Sequence, residues 1–343
     1  MTVRIKRTTR AMLLLAAAAL AAPLAAAEIT GAGATFPAPL YAKWGSAYEM
    51  ATQNKLNYQA IGSGGGQTQI KARTVDFGAT DDPMKPEDIA AAGLVQFPAV
   101  IGSEVMIVNL PGIKSGQLNL TADLVAAIYE GKITKWNDPA IAALNKGVAL
   151  RPMPITPVYR SDSSGTTAIF TNYMTRAAKG WALGAGKTIS WPAGSGGKGN
   201  DGVAGNVKNT VGGIGYVEYT YASANKLTMT RLANADGKFI VPTPAAFTAA
   251  ASQVDWAHAP HGVANMLALS GANTWPIVSA TYILVPAKPA DPAKTNAALA
   301  FFDFSFKHGA FDANALGYLP LPPAALTTVR ASWTKIAGYK PTK

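Results

Sequence analysis

Val100-Ile101-Gly102-Ser103-Glu104-Val105-Met106-Ile107-Val108-Asn109 and Ile277-Val278-Ser279-Ala280-Thr281-Tyr282-Ile283-Leu284-Val285 are the two long apolar, β-rich runs of this 343-residue sequence. Runs of this kind suit strands that cross between two lobes. On that basis residues 28–103 and 279–343 form one discontinuous domain, and residues 104–278 are inserted into it as a second. The length agrees, because single hydrophobic cores stop growing at roughly 250–300 residues.

Outward from these runs, short β-like stretches alternate with helical ones, which argues for an α/β fold over an all-β or all-α one. Pro37 and Pro39 open a segment in which Leu40, Trp44, Ala47 and Tyr48 recur at helical spacing, and residues 56–61 read as a strand. Gly64-Gly65-Gly66 leads into a helix to Arg73, residues 75–79 read as a strand and residues 83–92 as a helix. Residues 121–129 form an amphipathic helix closed by Gly131, and residues 155–160 a strand that enters Ser164-Gly165-Thr166 and a helix to Met174. Residues 191–215 are Gly-rich and turn-heavy, and residues 216–221 restore a strand.

The composition is that of a packed globular protein, with 49% apolar and 14% charged residues. The absence of Cys rules out a disulfide framework, a thiolate metal site, a cysteine nucleophile and a lipid-anchored cysteine. Arg4, Lys6, Arg7 and Arg10, the apolar residues 11–22 and Ala25-Ala26-Ala27 make residues 1–27 a cleavable secretory signal peptide. The apolar stretch ends at Pro23, short of the ~20 residues a membrane span needs. Without the four basic residues of the signal, 26 basic face 19 acidic residues, so the exported chain is moderately basic at +7. Those charges are scattered and not clustered with aromatic residues as in nucleic-acid binding.

Three places share one design. Thr35-Phe36 precedes a Pro-started helix, Ser63 precedes the triple-Gly helix, and Ser164-Gly165-Thr166 precedes the helix to Met174. Each sets a hydroxyl at or beside a helix N-cap, where the first N–H groups lack partners and the dipole end is positive. Such ends receive anions, although any one of them alone is satisfied by simple capping. Asp81 and Arg160, at the ends of two expected strands, add a charge pair. Arg grips oxyanions with its fork of donors, whereas a carboxylate only accepts. Asp81 therefore suits an anion that keeps its own proton, as phosphate does near neutral pH and sulfate does not. It equally suits the turn Thr80-Asp81-Asp82-Pro83, and spacing alone favours the turn.

At these residues the sequence resembles a family. Residues 31–39, 58–66, 74–81, 160–166 and 196–202 resemble, in order along nearly the whole exported chain, the periplasmic phosphate-binding proteins of phosphate ABC transporters. The resemblance implies a two-lobed type II periplasmic binding protein, two α/β domains joined by crossing strands with the ligand cleft between them. Its implied role is to close over inorganic phosphate in the periplasm, as a monomer, and deliver it to the permease subunits of an inner-membrane ABC transporter. Carried over residue by residue, the phosphate contacts fall on Thr35, Phe36 through its N–H, Ser63, Asp81, Arg160, Ser164, Gly165 and Thr166. Asp162 becomes the carboxylate that pairs with and orients Arg160. The resemblance implies no catalytic activity, cofactor or metal. Gly64 and Thr80 depart from it, since a related receptor carries Ser at both.

Other motifs carry less. Gly194-Ser195-Gly196-Gly197-Lys198-Gly199 satisfies G-x-G-x-x-G, with Glu218 downstream, but no strand is expected to feed it, so it reads as a loop at the surface or cleft edge. His258, His261 and His308 make no metal set. A binding protein for sulfate or molybdate is the nearest rival, and a secreted phosphatase, which would need a nucleophile or metal set, is the next.

Overall fold

The computed structural model describes residues 27–259 and 262–341. The expected signal peptide apart from Ala27, and His261, lie outside them. In chain order the strands are β1 (Glu28–Gly33), β2 (Lys55–Ala60), β3 (Phe77–Thr80), β4 (Leu94–Val108), β5 (Asn119–Leu120), β6 (Thr156–Arg160), β7 (Ser195–Gly197), β8 (Gly213–Glu218), β9 (Thr228–Met229), β10 (Arg231–Ala233), β11 (Phe239–Ile240) and β12 (Val278–Pro286). The main sheet runs β2-β1-β3-β12-β4-β8-β6-β7 with β9 beside β4, and β11-β10-β5 form a smaller sheet. β1 is parallel to β2 and β3, and β6 is parallel to β7 and β8, whereas β12 and β4 run antiparallel to their neighbours.

β4 decides the architecture. All 15 of its residues are buried, as befits a strand covered on both faces. Residues 94–103 pair with β12, and residues 104–108 pair with β8. One strand thus belongs to both halves of the sheet. Its onset at Leu94, six residues before the apolar run was expected to begin, was hidden by Pro98. Pro98 lies where the β12 register shifts between Thr281 and Tyr282, an irregularity at which a strand tolerates proline.

Each half has its own aromatic packing. Phe302, on the helix Pro292–His308, meets Tyr41, Phe77 and Phe97 edge to face, with centroids 5.1–5.9 Å apart. In the other half Phe170 stacks on Tyr216 at 4.2 Å, and both pack against Tyr129. Two expectations need correction. The Gly-rich residues 191–215 contain β7 and the helix Gly199–Asn209. The expected strand over residues 216–221 is instead the end of β8 followed by a helix, Tyr219–Ala224, whose start is capped by Glu218 accepting from the N–H of Thr220.

Candidate anion-binding site

The residues singled out above come together at the carboxyl ends of parallel strands, where ligands of open α/β sheets bind. Thr35 and Phe36 follow β1, Ser63 begins the helix Ser63–Lys71 after β2, and Asp81 follows β3. From the other half, Arg160 ends β6, and Ser164, Gly165 and Thr166 begin the helix Gly165–Ala177. All are buried. The two halves touch here: a Cβ added to Gly165 would lie 2.3 Å from Ser63 Oγ and 2.6 Å from Asp81 Oδ2, so only glycine lets the helix end approach this closely. Gly64 has the same reason to be glycine, since a Cβ there would lie 2.2 Å from Ser163 Oγ.

Arg160 pairs with Asp162 and not with Asp81. Nε donates to Asp162 Oδ1 at 2.7 Å, Nη2 donates to Asp162 Oδ2, and Nη1 donates to Thr166 Oγ1 at 2.8 Å. Three of its five N–H groups are thereby used, leaving one on each Nη. Although burial pushes Asp162 up, its hydrogen bonds and charge pairing with Arg160 and the N–H of Gly199 hold it below the usual carboxylate range. Arg160 therefore presents a fixed, already charge-balanced fork.

The three helix starts differ from one another. Ser164 is an N-cap, its Oγ accepting from the N–H of Thr167 at 3.0 Å, while N–H groups at the first helical positions, Gly165 and Thr166, have no intrahelical acceptor. Thr35 and Ser63 do not cap. Pro37 is the N-cap of the helix Ala38–Thr52, and Gly62 that of the helix Ser63–Lys71, neither with a side-chain bond. The Ser63 hydroxyl is engaged with Asp81 instead, accepting from its N–H at 3.1 Å and donating to Oδ2 at 3.4 Å.

Asp81 is the one acceptor in this ring of donors. Its Oδ1 is buried and makes no hydrogen bond of normal geometry, although the hydroxyl of Thr281, likewise buried and unpaired, lies near enough to the carboxyl to favour its ionised form. Burial pushes the carboxyl up to about 7, against the lowering influence of Thr281, Arg160 and Ser63. Glu218, buried nearby, is pushed up by burial to about 8 despite hydrogen bonds from Thr220 and Tyr318. The sign for stability follows. A carboxyl that holds its proton more tightly folded than unfolded favours the folded state most below pH ~4, and that advantage is lost as pH rises toward about 7 for Asp81. D81N should accordingly unfold at a higher temperature than the parent at pH 8, with the gap narrowing as pH falls and closing near pH ~4. A pH-independent gap in thermal denaturation would contradict the burial cost.

Several contacts hold the halves together around the site. Lys187 Nζ pairs with Asp82 at 2.7 Å, Gly64 N donates to the Ser163 carbonyl at 3.0 Å, and Tyr221 Oη donates to the Thr35 carbonyl at 2.6 Å. Tyr318 Oη lies 2.6 Å from the Phe36 carbonyl and 3.0 Å from Glu218 Oε2. Asn200 donates to Thr35 Oγ1 at 2.8 Å and to Thr166 Oγ1 at 3.2 Å. Asn200, Tyr221 and Tyr318 escaped the sequence analysis, although Asn200 stands in the quoted stretch 196–202. The G-x-G-x-x-G stretch is a strand, turn and helix after all, and its helix start delivers Asn200 to the site. His258 is exposed and faces Asp255, and among the described residues no group of three or more metal-ligating side chains converges.

Architecture and site together define a type II binding-protein fold. A family model described as a PBP superfamily domain matches residues 18–308. A solved high affinity periplasmic phosphate-binding protein with phosphate bound superposes with a TM-score of 0.72, covering 92% of this chain and 99% of its own at 20% identity. A phosphate-binding protein from Stenotrophomonas maltophilia superposes with a TM-score of 0.65 at 20% identity, covering 89% and 94%. Nearer in sequence, "Phosphate-binding protein PstS" of Pasteurella multocida is 48% identical over 329 residues, 95% of this chain and 96% of that protein. The protein of the same name from Haemophilus influenzae is 49% identical over 309 residues, 89% and 92% of the two chains. The chain belongs to the PstS family of phosphate-binding proteins.

Proposed function

We propose that this chain binds one inorganic phosphate ion between the two halves of its sheet and delivers it to an ABC transporter permease. The observation that carries this reading is the unpartnered Asp81 Oδ1, a buried acceptor set among donors from Arg160, Thr35, Thr166 and two helix starts. Only an oxyanion that still carries a hydrogen satisfies both kinds of partner. With Asp81 ionised, at a pH above the value of about 7 to which burial raises it, sulfate would leave acceptor against acceptor. Sites built around a ligand hydroxyl reject an analogue lacking it by about 10⁴–10⁵.

The proposed receptor is a monomer without catalytic activity, exported to the periplasm by cleavage of residues 1–27. Among the described residues no helix is long and apolar enough to cross a membrane. Its domains are residues 28–103 with 279–343, and residues 104–278, and the change of β4 from β12 to β8 after Ser103 supports that division. The hinge lies there, and contacts such as Lys187–Asp82 and Tyr221–Thr35 belong to the closed state that ligand favours by bridging the halves. Calorimetric titration of the mature chain should show tight binding of phosphate and none of sulfate at the same concentrations. Comparable affinities would overturn the selectivity, and phosphate release from a chromogenic phosphate ester would overturn the non-catalytic role.

A further inference from the structure

Asn200 is fully buried at the start of the helix Gly199–Asn209 and touches both halves of the site through its side chain. Its orientation is fixed. Oδ1 accepts from the backbone N–H of Glu218 at 2.9 Å, so the NH₂ group must face the two threonines. A threonine hydroxyl has two lone pairs and one hydrogen. Thr35 Oγ1 accepts from Asn200 Nδ2 at 2.8 Å and from Asn200 N at 3.3 Å. Thr166 Oγ1 accepts from Arg160 Nη1 at 2.8 Å and from Asn200 Nδ2 at 3.2 Å. Both oxygens are saturated as acceptors, and each hydroxyl can act further only by donating.

We infer that Asn200 is a positioning residue that fixes the hydroxyls of Thr35 and Thr166 as hydrogen-bond donors to the anion held between them, an inference that rests on the phosphate reading above. It acts through other groups. Because its one NH₂ reaches a threonine from each half, it also sets the donor polarity only when the halves are together. Without it either hydroxyl is free to rotate and present a lone pair to the anion, which repels it. With an acceptor in its place both hydroxyls turn toward that acceptor and away from the ligand.

The test is phosphate titration of N200D and N200A beside the parent protein, with ligand-free melting of each as the folding control. N200D keeps the shape but reverses the polarity, withdraws two hydrogen bonds from a charged ligand and adds a negative charge beside it, so the T166V/N200A pair is titrated with it to separate polarity from charge. N200D should bind phosphate about 10³-fold more weakly. N200A, which only frees the hydroxyls, should lose about tenfold. A side chain that merely fills space would give the opposite order, with truncation the worse change. Either N200D within about fivefold of the parent or N200A falling as far as N200D overturns the inference. Whether or not N200D folds, the uncharged T166V/N200A pair decides: N200A should cost less in the T166V background than alone, and independent, multiplicative losses overturn the inference. A parent chain that fails to bind phosphate overturns the functional reading itself, whereas a binding parent with an unaffected N200D overturns this inference alone.

Discussion

R160A is expected to abolish phosphate binding, with a loss of about 10⁴-fold or more in a calorimetric titration. Two of the guanidinium's N–H groups remain after its bonds to Asp162 and Thr166, and both are available to a buried anion. Hydrogen bonds to charged groups are worth about 1.5–3 kcal/mol each, so their removal alone costs about 10²–10⁴-fold. Truncation also strips Asp162 of its partner and leaves a negative charge beside the negative ligand, which takes the loss further. The ligand-free fold should survive, because Asp162 is only partly buried and keeps the N–H of Gly199. Its melting temperature should fall by about 10 °C, since truncating one partner of an ion pair whose side chains are 1% and 13% exposed costs about 3 kcal/mol. Phosphate affinity within tenfold of the parent would remove Arg160 from the ligand, and a chain unfolded at room temperature would make its role structural.

D81N is expected to collapse the discrimination between phosphate and sulfate. At pH 8, above the value of about 7 to which burial raises the carboxyl, the ionised Oδ1 of the parent meets an acceptor oxygen of sulfate with no hydrogen between them, in a buried site that does little to screen the repulsion. An amide removes the charge and, by rotating, presents either an oxygen or an NH₂ group. Phosphate should lose about tenfold at most, because the amide oxygen still accepts its hydrogen. Sulfate should gain, and the ratio of affinities should fall from about 10⁴–10⁵ to ~10² or below. Parallel titrations of both anions check this. A ratio in D81N within tenfold of the parent's would show that selectivity resides elsewhere, for instance in the geometry of the donors alone.

How much of the site could be read in advance depended on chain distance. Ser164, Gly165 and Thr166 follow a short β-like run and open a helix, and the N-cap of Ser164 is a local event within three residues. Arg160 and Asp162 are two residues apart, so their pairing follows from a family motif carried by one turn of chain. Thr35 and Ser63 have the same local signature as Ser164, yet neither caps its helix, because Thr35 is claimed by Asn200, 165 residues away, and Ser63 by Asp81. The helix bearing Asn200 was itself hidden by glycines that depress helical propensity and pass for turns.

The alternation of short strands and helices, the two long apolar runs and the ordered motifs were enough to establish the α/β class and the family, since these depend on residues near one another in the chain. Whether Asp81 is a turn residue or a buried acceptor was beyond that reach. The tertiary structure decided it by bringing β3 and the start of the helix Gly165–Ala177 together, which buries Oδ1 without giving it a hydrogen bond of normal geometry. The same holds for the hydroxyls of Thr35 and Thr166. A hydroxyl's polarity is set by which of its lone pairs are already occupied, and those occupants arrive from distant segments only when the chain is folded.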